Sequence, residues 1–206
     1  MKERIHDDQK VFTSGKNLDN ADIAVILVHG RGATAQGMLQ LAEELPEAAY
    51  LAPQATKRTW YPQSFMESRE KNQPHLDSAL RKLGSVVDEA ASGVGMENTF
   101  IMGFSQGACL ASEFAASNPQ RFGGLILLSG GLIGEEIEDF SGDMEKSETF
   151  IGCAENDPHI PLDRVNATER VFGDLDADVE KYVFEGSHHG ITDHELERAS
   201  EIISGN

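Results

Sequence analysis

Short apolar segments of strand length alternate along the chain with longer segments of helical period, and this alternation limits the fold more than any other feature. Residues 24–28 form an unbroken aliphatic run, as expected of a strand that is covered on both faces. Further strands are predicted at 50–52, 99–102, 124–128, 150–154 and 179–184, and helices at 36–45, 76–92, 106–117, 161–173 and 193–203. Such alternation favours an α/β fold, a mostly parallel sheet with helices on both faces.

The ends of the chain fit the same scheme. Residues 11–14 predict an antiparallel edge strand, and the first ten residues are expected to lead into it. Thr192 and Glu195 have the spacing of a capping box at the start of the last helix. Because no repeat or shift in composition divides the sequence, we expect residues 1–206 to form a single domain.

Charge and composition exclude several classes of partner. The 206 residues contain 17 Lys and Arg against 35 Asp and Glu, for a net charge of −18. A surface of this sign disfavours binding to nucleic acids and to anionic membranes. No apolar run approaches the roughly 20 residues of a membrane span. Cys109 and Cys153 are too few for a disulfide framework, which indicates buried free thiols and a cytoplasmic protein.

One segment is strongly acidic. Residues 134–148 contain seven carboxylates and a single base, Lys146. Runs of like charge are usually solvated, so we expect a surface loop here. A lid over a binding site is the alternative.

The clearest chemical signal is Gly103-Phe104-Ser105-Gln106-Gly107, which follows a predicted strand and precedes a predicted helix. A sharp turn between these elements strains its central residue and exposes the serine hydroxyl at the carboxyl edge of the sheet. The start of the helix also directs backbone amides toward the site. Ser105 is therefore the candidate nucleophile.

A second glycine-rich turn, His29-Gly30-Arg31-Gly32, follows the first long strand. Its backbone amides, together with the amide after the nucleophile, are candidates for binding an oxyanion. His29 itself lies at the strand end before the turn, so we interpret it as a structural residue.

A serine nucleophile needs a histidine base and a carboxylate that orients it. Asp157 follows the strand at 150–154, with Glu155 as the competing acid. His188 and His189 follow the last strand, and the residues alone leave open which of them is the base. A metal site at this histidine pair is the alternative, but no further Cys or His cluster completes it.

Together these segments resemble the phospholipase/carboxylesterase family of α/β-hydrolases, which includes acyl-protein thioesterases. The similarity extends from about residue 24 to 203, and it is most specific over residues 100–108. It implies a triad of Ser105, Asp157 and His189. It also implies that the backbone N–H groups of Arg31 and Gln106 form the oxyanion hole.

The resemblance also suggests where substrate binds. A segment that borders the acyl pocket in the family matches Trp60 and Tyr61, with Phe65 and Met66 as weaker candidates; packing of the loop is the alternative role for the aromatic pair. Two departures stand out. Pro62 replaces an aspartate of the family, and Arg31 replaces an apolar residue, which predicts a cation near the substrate entrance.

These features predict a serine carboxylesterase that cleaves small carboxylic esters or thioesters without cofactor or metal. Preference for lysophospholipids or acylated proteins is the first alternative. Dienelactone hydrolase shares the fold but uses cysteine as nucleophile, whereas the turn here carries Ser105. A non-catalytic binding module on the same fold is the alternative from another class. The sequence leaves both a monomer and a homodimer open.

Overall fold

A computed structural model describes residues 3–205, and a single seven-stranded sheet runs through them. The spatial order of the strands is β1-β3-β2-β4-β5-β6-β7. Only β1 is antiparallel to its neighbour, and all other pairs are parallel. The strands are β1 (Val11–Gly15), β2 (Ala24–Val28), β3 (Ala49–Pro53), β4 (Thr99–Phe104), β5 (Gly124–Leu128), β6 (Glu148–Ala154) and β7 (Asp178–Phe184).

The central strand β2 explains why the sheet needs helices on both faces. All five of its residues are fully buried. Successive side chains of a strand point to opposite faces, and accordingly Ala24, Ile26 and Val28 belong to one apolar cluster. Val25 and Leu27 belong to the other. An aliphatic run without polar alternation is therefore the sequence signature of this doubly covered position.

Residues 3–205 contain six α-helices: α1 (Ala35–Leu39), α2 (Arg69–Asn72), α3 (His75–Val94), α4 (Gln106–Ser117), α5 (Leu162–Asp174) and α6 (Asp193–Ser204). Buried residues of α3, α4 and α5 share the cluster on one face of the sheet. Buried residues of α1 and α6 share the cluster on the other face. Within residues 3–205 no helix has both the length and the apolar character that crossing a bilayer requires.

The predicted strands and helices agree with this architecture, with two differences. The first helix is shorter than predicted: it ends at Leu39, and a 3₁₀ turn continues to Glu43. Gly37 within it lowers helix propensity, and Pro46 restrains the residue before it. The short helix α2 was not predicted, because its four residues are polar and carry no apolar stripe. Tertiary contacts hold it instead, including an ion pair between Arg69 and the buried Glu113 of α4.

The acidic segment 134–148 has no helix or strand before β6 begins, as expected of a loop. It is nevertheless attached to the body of the molecule. The N–H of Gly134 donates to the carbonyl of Phe65 at 2.7 Å. The Arg164 guanidinium donates to the carbonyls of Gly134 and Glu135 at 2.8 and 3.1 Å, and Met144 is fully buried.

Candidate active site

Ser105 occupies the turn between β4 and α4 in a strained conformation. Its φ is 55° and its ψ is −120°, a region that non-glycine residues rarely adopt. The flanking glycines are required by close packing. A Cβ on Gly107 would overlap the carbonyl of Val28, and one on Gly103 would overlap the backbone of Gly107. The turn is therefore as sharp as the sequence predicts, and it holds the serine at the carboxyl end of the sheet.

A continuous chain of hydrogen bonds connects Ser105, His189 and Asp157. The Nδ1 atom of His189 lies 2.7 Å from Oδ2 of Asp157. The Nε2 atom of the same ring lies 2.9 Å from Oγ of Ser105. A carboxylate only accepts hydrogen bonds, so Nδ1 carries the proton and Nε2 is left to accept from the serine hydroxyl. The structure thus brings together the three side chains that the sequence singles out.

The Asp157 carboxylate is held on both of its oxygens. Oδ1 accepts from the backbone N–H groups of His159 and Ile160 at 2.8 and 3.0 Å. Burial of the side chain would by itself raise the pKa of Asp157, but the hydrogen bonds from His189 and from these two amides lower that pKa below its ordinary value. The carboxylate is therefore ionised at neutral pH. The competing acid, Glu155, is exposed and does not contact His189.

Two backbone hydrogen bonds bring the acid loop to the histidine loop. The N–H of Glu155 donates to the carbonyl of Phe184 at 2.8 Å, and that of Asn156 donates to the carbonyl of Gly186 at 2.9 Å. His188 is exposed, and its ring folds back over Gly190. Of the two adjacent histidines, only His189 faces the serine.

His29 has a structural role, consistent with its position before the first glycine-rich turn. Its ring is fully buried. Its Nε2 accepts from the N–H of Ala55 at 3.1 Å, so its Nδ1 donates to the carbonyl of Gly30 at 2.7 Å. Both nitrogens are thus occupied. Burial also lowers the pKa of His29, which keeps the ring neutral.

The side chains of Arg31 and Gln106 hold the segment that carries Trp60 and Tyr61. The Gln106 amide accepts from the N–H of Trp60 and donates to the carbonyl of Tyr61, both at 2.9 Å. The Arg31 guanidinium donates to the carbonyls of Tyr61, Pro62 and Gln63 at 3.0, 2.8 and 2.6 Å. From the sequence, Arg31 is expected as a backbone donor and as a cation near the substrate entrance, and Gln106 as a backbone donor. These side-chain contacts with residues 60–63 leave no local pattern in the sequence.

A cavity of about 470 Å³ opens beside Ser105. It is lined by Arg31, Tyr61, Pro62, Gln63, Ser64, Phe65, Ser105, Gln106, Cys109, His159, Ile160 and His189.

Of the four candidate pocket residues, Tyr61 and Phe65 line this cavity, whereas Trp60 and Met66 do not. Trp60 is turned into the protein, where its indole N–H donates to the carbonyl of His29 at 2.9 Å. Met66 is half-buried and packs against the apolar core. In each adjacent pair, therefore, one residue lines the cavity and its neighbour packs into the protein.

Several lining residues had no signal in the sequence. His159 stands two residues after Asp157, and its ring packs edge-on against His189 with 4.8 Å between the ring centres. Cys109 lies one helical turn after Ser105 and is buried beneath the cavity. No residue of the acidic segment 134–148 lines the cavity, so that loop does not cover it in this conformation. Across residues 3–205, no three His, Cys, Asp or Glu side chains are grouped closely enough to hold a metal ion.

Comparison with known proteins agrees with this fold. The crystal structure of a phospholipase/carboxylesterase from Dyadobacter fermentans is 39% identical in sequence, covers 99% of this chain and 100% of its own, and superposes with a TM-score of 0.93. The Bacillus cereus carboxylesterase shares the fold at 20% identity, with a TM-score of 0.78 over 96% of this chain and 94% of its own.

A yeast protein is also similar in sequence. Acyl-protein thioesterase 1 of Kluyveromyces lactis is 28% identical over 137 residues, which are 63% of this chain and 59% of the relative. The match thus spans about three fifths of the length of that relative. The family model for phospholipase/carboxylesterase matches residues 11–206. The chain therefore belongs to the phospholipase/carboxylesterase family of α/β-hydrolases.

Proposed function

We propose that the protein is a serine hydrolase that cleaves small carboxylic esters or thioesters through an acyl-enzyme on Ser105. The observation that carries this proposal is the hydrogen-bonded chain from Asp157 through His189 to Ser105 at the mouth of a cavity. Membership of a carboxylesterase family supports it independently.

In the first step, Oγ of Ser105 attacks the carbonyl carbon of the ester while Nε2 of His189 takes up the hydroxyl proton. The 2.9 Å separation of these two atoms is within hydrogen-bond reach. The ionised Asp157 then stabilises the imidazolium through Nδ1 and keeps the ring in the required orientation. The His189 ring also packs against Phe104, with 5.0 Å between the ring centres, which limits its rotation.

The attack places a negative charge on the carbonyl oxygen, and two backbone N–H groups are suited to receive it. The N–H of Gln106 opens helix α4 directly after the nucleophile. The N–H of Arg31 belongs to the turn after β2. Neither donates to a turn or loop carbonyl within residues 3–205. Unpaired amides that are already in position stabilise a developing oxyanion without a cost of reorganisation.

Collapse of this intermediate transfers the proton from His189 to the leaving alcohol or thiol and leaves an ester bond on Ser105. Water then attacks the acyl group, with His189 accepting its proton. Return of that proton to Ser105 releases the carboxylic acid. Each step uses only residues that line the cavity or orient His189.

The direct test is labelling with a fluorophosphonate, which reacts with activated serines. We expect a single adduct, which mass spectrometry maps to the peptide that contains Ser105, and no adduct after Ser105→Ala or after heat denaturation. Absence of labelling in the native protein would favour the alternative from another class, a binding module without catalysis.

The pH dependence of kcat/KM tests the base. A histidine accepts the serine proton only when it is neutral, so the rate should fall toward acid in the range where histidines titrate, about pH 5.5–7.5. The pKa of Asp157 lies below its ordinary value, so this residue stays ionised throughout that range and adds no second step. We therefore expect log kcat/KM to fall with a slope of one, measured from pH 5 to 9 on p-nitrophenyl acetate.

The neighbouring His159 supplies the control for this profile, because it is a second imidazole of the cavity lining and its ring contacts His189. His159→Gln should keep the acid limb. A flat profile in the wild-type protein, folded throughout by circular dichroism, would contradict a histidine base.

A second candidate function follows from the names of the yeast relatives, which are acyl-protein thioesterases. A series of p-nitrophenyl esters from acetate to palmitate distinguishes the two. We expect the largest kcat/KM for short acyl groups, and a maximum at twelve or more carbons would favour the thioesterase or lysophospholipase alternative. We also propose a cytoplasmic location, since both cysteines are buried free thiols.

A further inference from the structure

The side chains that line the cavity differ in charge from the rest of the chain. The protein carries a net charge of −18, yet no Asp or Glu is among the residues that line the cavity. The lining contains one permanent cation, Arg31, and two histidines, His159 and His189. Acidic side chains are common elsewhere on this surface, so a cavity wall without them is a local feature of the site.

The Arg31 guanidinium is fixed in place but not neutralised. Its three hydrogen bonds all go to backbone carbonyl oxygens of residues 61–63, which orient a cation without cancelling its charge. By contrast, Arg69 and Arg198 each pair with carboxylates. Arg31 forms no ion pair with a carboxylate anywhere in the described chain. A guanidinium also has more N–H donors than these three bonds use.

A second polar group in the cavity lacks a partner. The side chain of Tyr61 is fully buried, and its hydroxyl has no hydrogen-bond partner among residues 3–205. The polar group beside this hydroxyl is the thiol of Cys109, a weak hydrogen-bonding group. Burial raises the pKa of Tyr61 well above its ordinary value, which keeps the phenol protonated as a donor. The donor that the cavity lining presents to a substrate is therefore the Arg31 guanidinium, whereas the Tyr61 hydroxyl lies within the buried wall.

Together these observations indicate the chemistry of the substrate. A carboxylate would receive N–H groups from a planar, pre-oriented guanidinium, and such charge-assisted bonds are stronger than neutral ones. The surrounding surface is negative and repels anions at long range. Selection for an anion therefore has to come from a local contact, and Arg31 is the one permanent cation of the described cavity lining.

We infer that the natural substrates are small esters or thioesters that carry a carboxylate in addition to the scissile group, and that Arg31 binds this carboxylate and determines the preference for it. This inference rests on the proposed function and adds the substrate class. It gives the side chain of Arg31 a specificity role that is separate from the oxyanion role of its backbone amide.

The test uses two pairs of esters, in each of which a free carboxylate is compared with its methyl ester. In the first pair the carboxylate is on the acid side: mono-p-nitrophenyl adipate is compared with its methyl ester. In the second it is on the alcohol side: 4-acetoxybenzoate is compared with its methyl ester. The quantity measured is the ratio of kcat/KM for the anionic ester to that for its neutral partner. This ratio cancels any general effect of a substitution on the site.

In the wild-type protein we expect the ratio to exceed one in at least one pair, and that pair identifies the side of the scissile bond on which the carboxylate binds. Arg31→Gln should lower that ratio about five- to twentyfold, on the scale of one charge-assisted contact at a partly exposed site. Arg31→Lys should retain an intermediate ratio, because it keeps the charge and loses the planar fork. Arg170→Gln is the matched control: it removes an exposed arginine of α5, changes the net charge equally, and should leave the ratio unchanged.

Three results would overturn the inference: a ratio that Arg31→Gln changes less than twofold in both pairs, an equal loss in Arg31→Lys and Arg31→Gln, or an equal loss in Arg170→Gln. Failure of the proposed function looks different, because then no ester of either pair is hydrolysed and Ser105→Ala changes nothing. Each substituted protein is compared by thermal unfolding with the wild type, so that a folding defect is recognised before the ratios are read.

Discussion

Replacement of Ser105 by alanine is expected to lower kcat for p-nitrophenyl acetate by about 10⁴- to 10⁶-fold, the scale of losing the nucleophile of a triad. The substitution removes the one oxygen that lies 2.9 Å from Nε2 of His189. No other hydroxyl of the described chain is hydrogen-bonded to this ring. The oxyanion donors and the cavity remain, so some rate above that of water persists.

The fold should tolerate this change. Alanine occupies a positive φ about as poorly as serine does, so the strain at position 105 stays the same. The lost Oγ makes its hydrogen bond to His189 alone. We therefore expect the melting temperature to stay within about 5 °C of the wild type, which corresponds to a change of no more than about 1–2 kcal/mol. Ser187→Ala, which alters an exposed serine of the histidine loop, is the matched control and should keep nearly full activity. Residual activity of Ser105→Ala within tenfold of wild type would contradict the assignment.

Much of the fold was predictable because a strand that is covered on both faces of a parallel sheet consists of an uninterrupted run of apolar residues. The strand β2 has this pattern, and so does β4, which ends just before Ser105. The spacing of glycines around Ser105 was equally informative, since Gly103 and Gly107 lie where a Cβ would overlap backbone atoms. This lack of space for a Cβ restricts both positions to glycine, so it is visible in the sequence itself.

The walls of the cavity were less predictable, because they depend on contacts between residues far apart in the sequence. Gln106 holds the backbone of Trp60, 46 residues away. Arg31 holds the carbonyl of Gln63, 32 residues away. Neither contact leaves a local pattern. The resemblance to the family indicated the 60–66 segment, but the direction of each side chain within it is decided by packing: Tyr61 lines the cavity whereas Trp60 is turned toward His29.

The helix α2 is an element of secondary structure that likewise could not be predicted from the sequence. Its residues have no apolar period, and isolated helices of this length are unstable in water. The tertiary contacts that hold it include the ion pair of Arg69 with Glu113, a carboxyl whose pKa is raised by burial despite that partner. The second oxygen of Glu113 accepts from the N–H of Ile133 at 3.0 Å, which ties the start of the acidic loop to the nucleophile helix. A search for an apolar period in the sequence does not detect a helix that is stabilised by tertiary contacts.

The adjacent histidines should differ sharply in their importance. His189→Ala is expected to lower kcat by about 10³-fold or more, on the scale of losing a triad member. His188→Ala should lower it by less than about tenfold, since removal of an exposed side chain outside the triad leaves the base in place. One ring must donate to the acid through one nitrogen and accept from the serine through the other. His189 does so, with distances of 2.7 and 2.9 Å.

The geometry of the loop explains why His188 cannot substitute for its neighbour. Successive side chains of an extended segment point to opposite sides. The ring of His188 lies over Gly190, away from Ser105, and it is exposed. The hydrogen bond between the N–H of Asn156 and the carbonyl of Gly186 holds the start of this loop against the acid loop. Both single variants are therefore compared on p-nitrophenyl acetate, with unfolding curves to establish that each is folded. If His188→Ala loses more activity than His189→Ala, the base is His188, and the hydrogen-bonded chain through His189 is not the catalytic one.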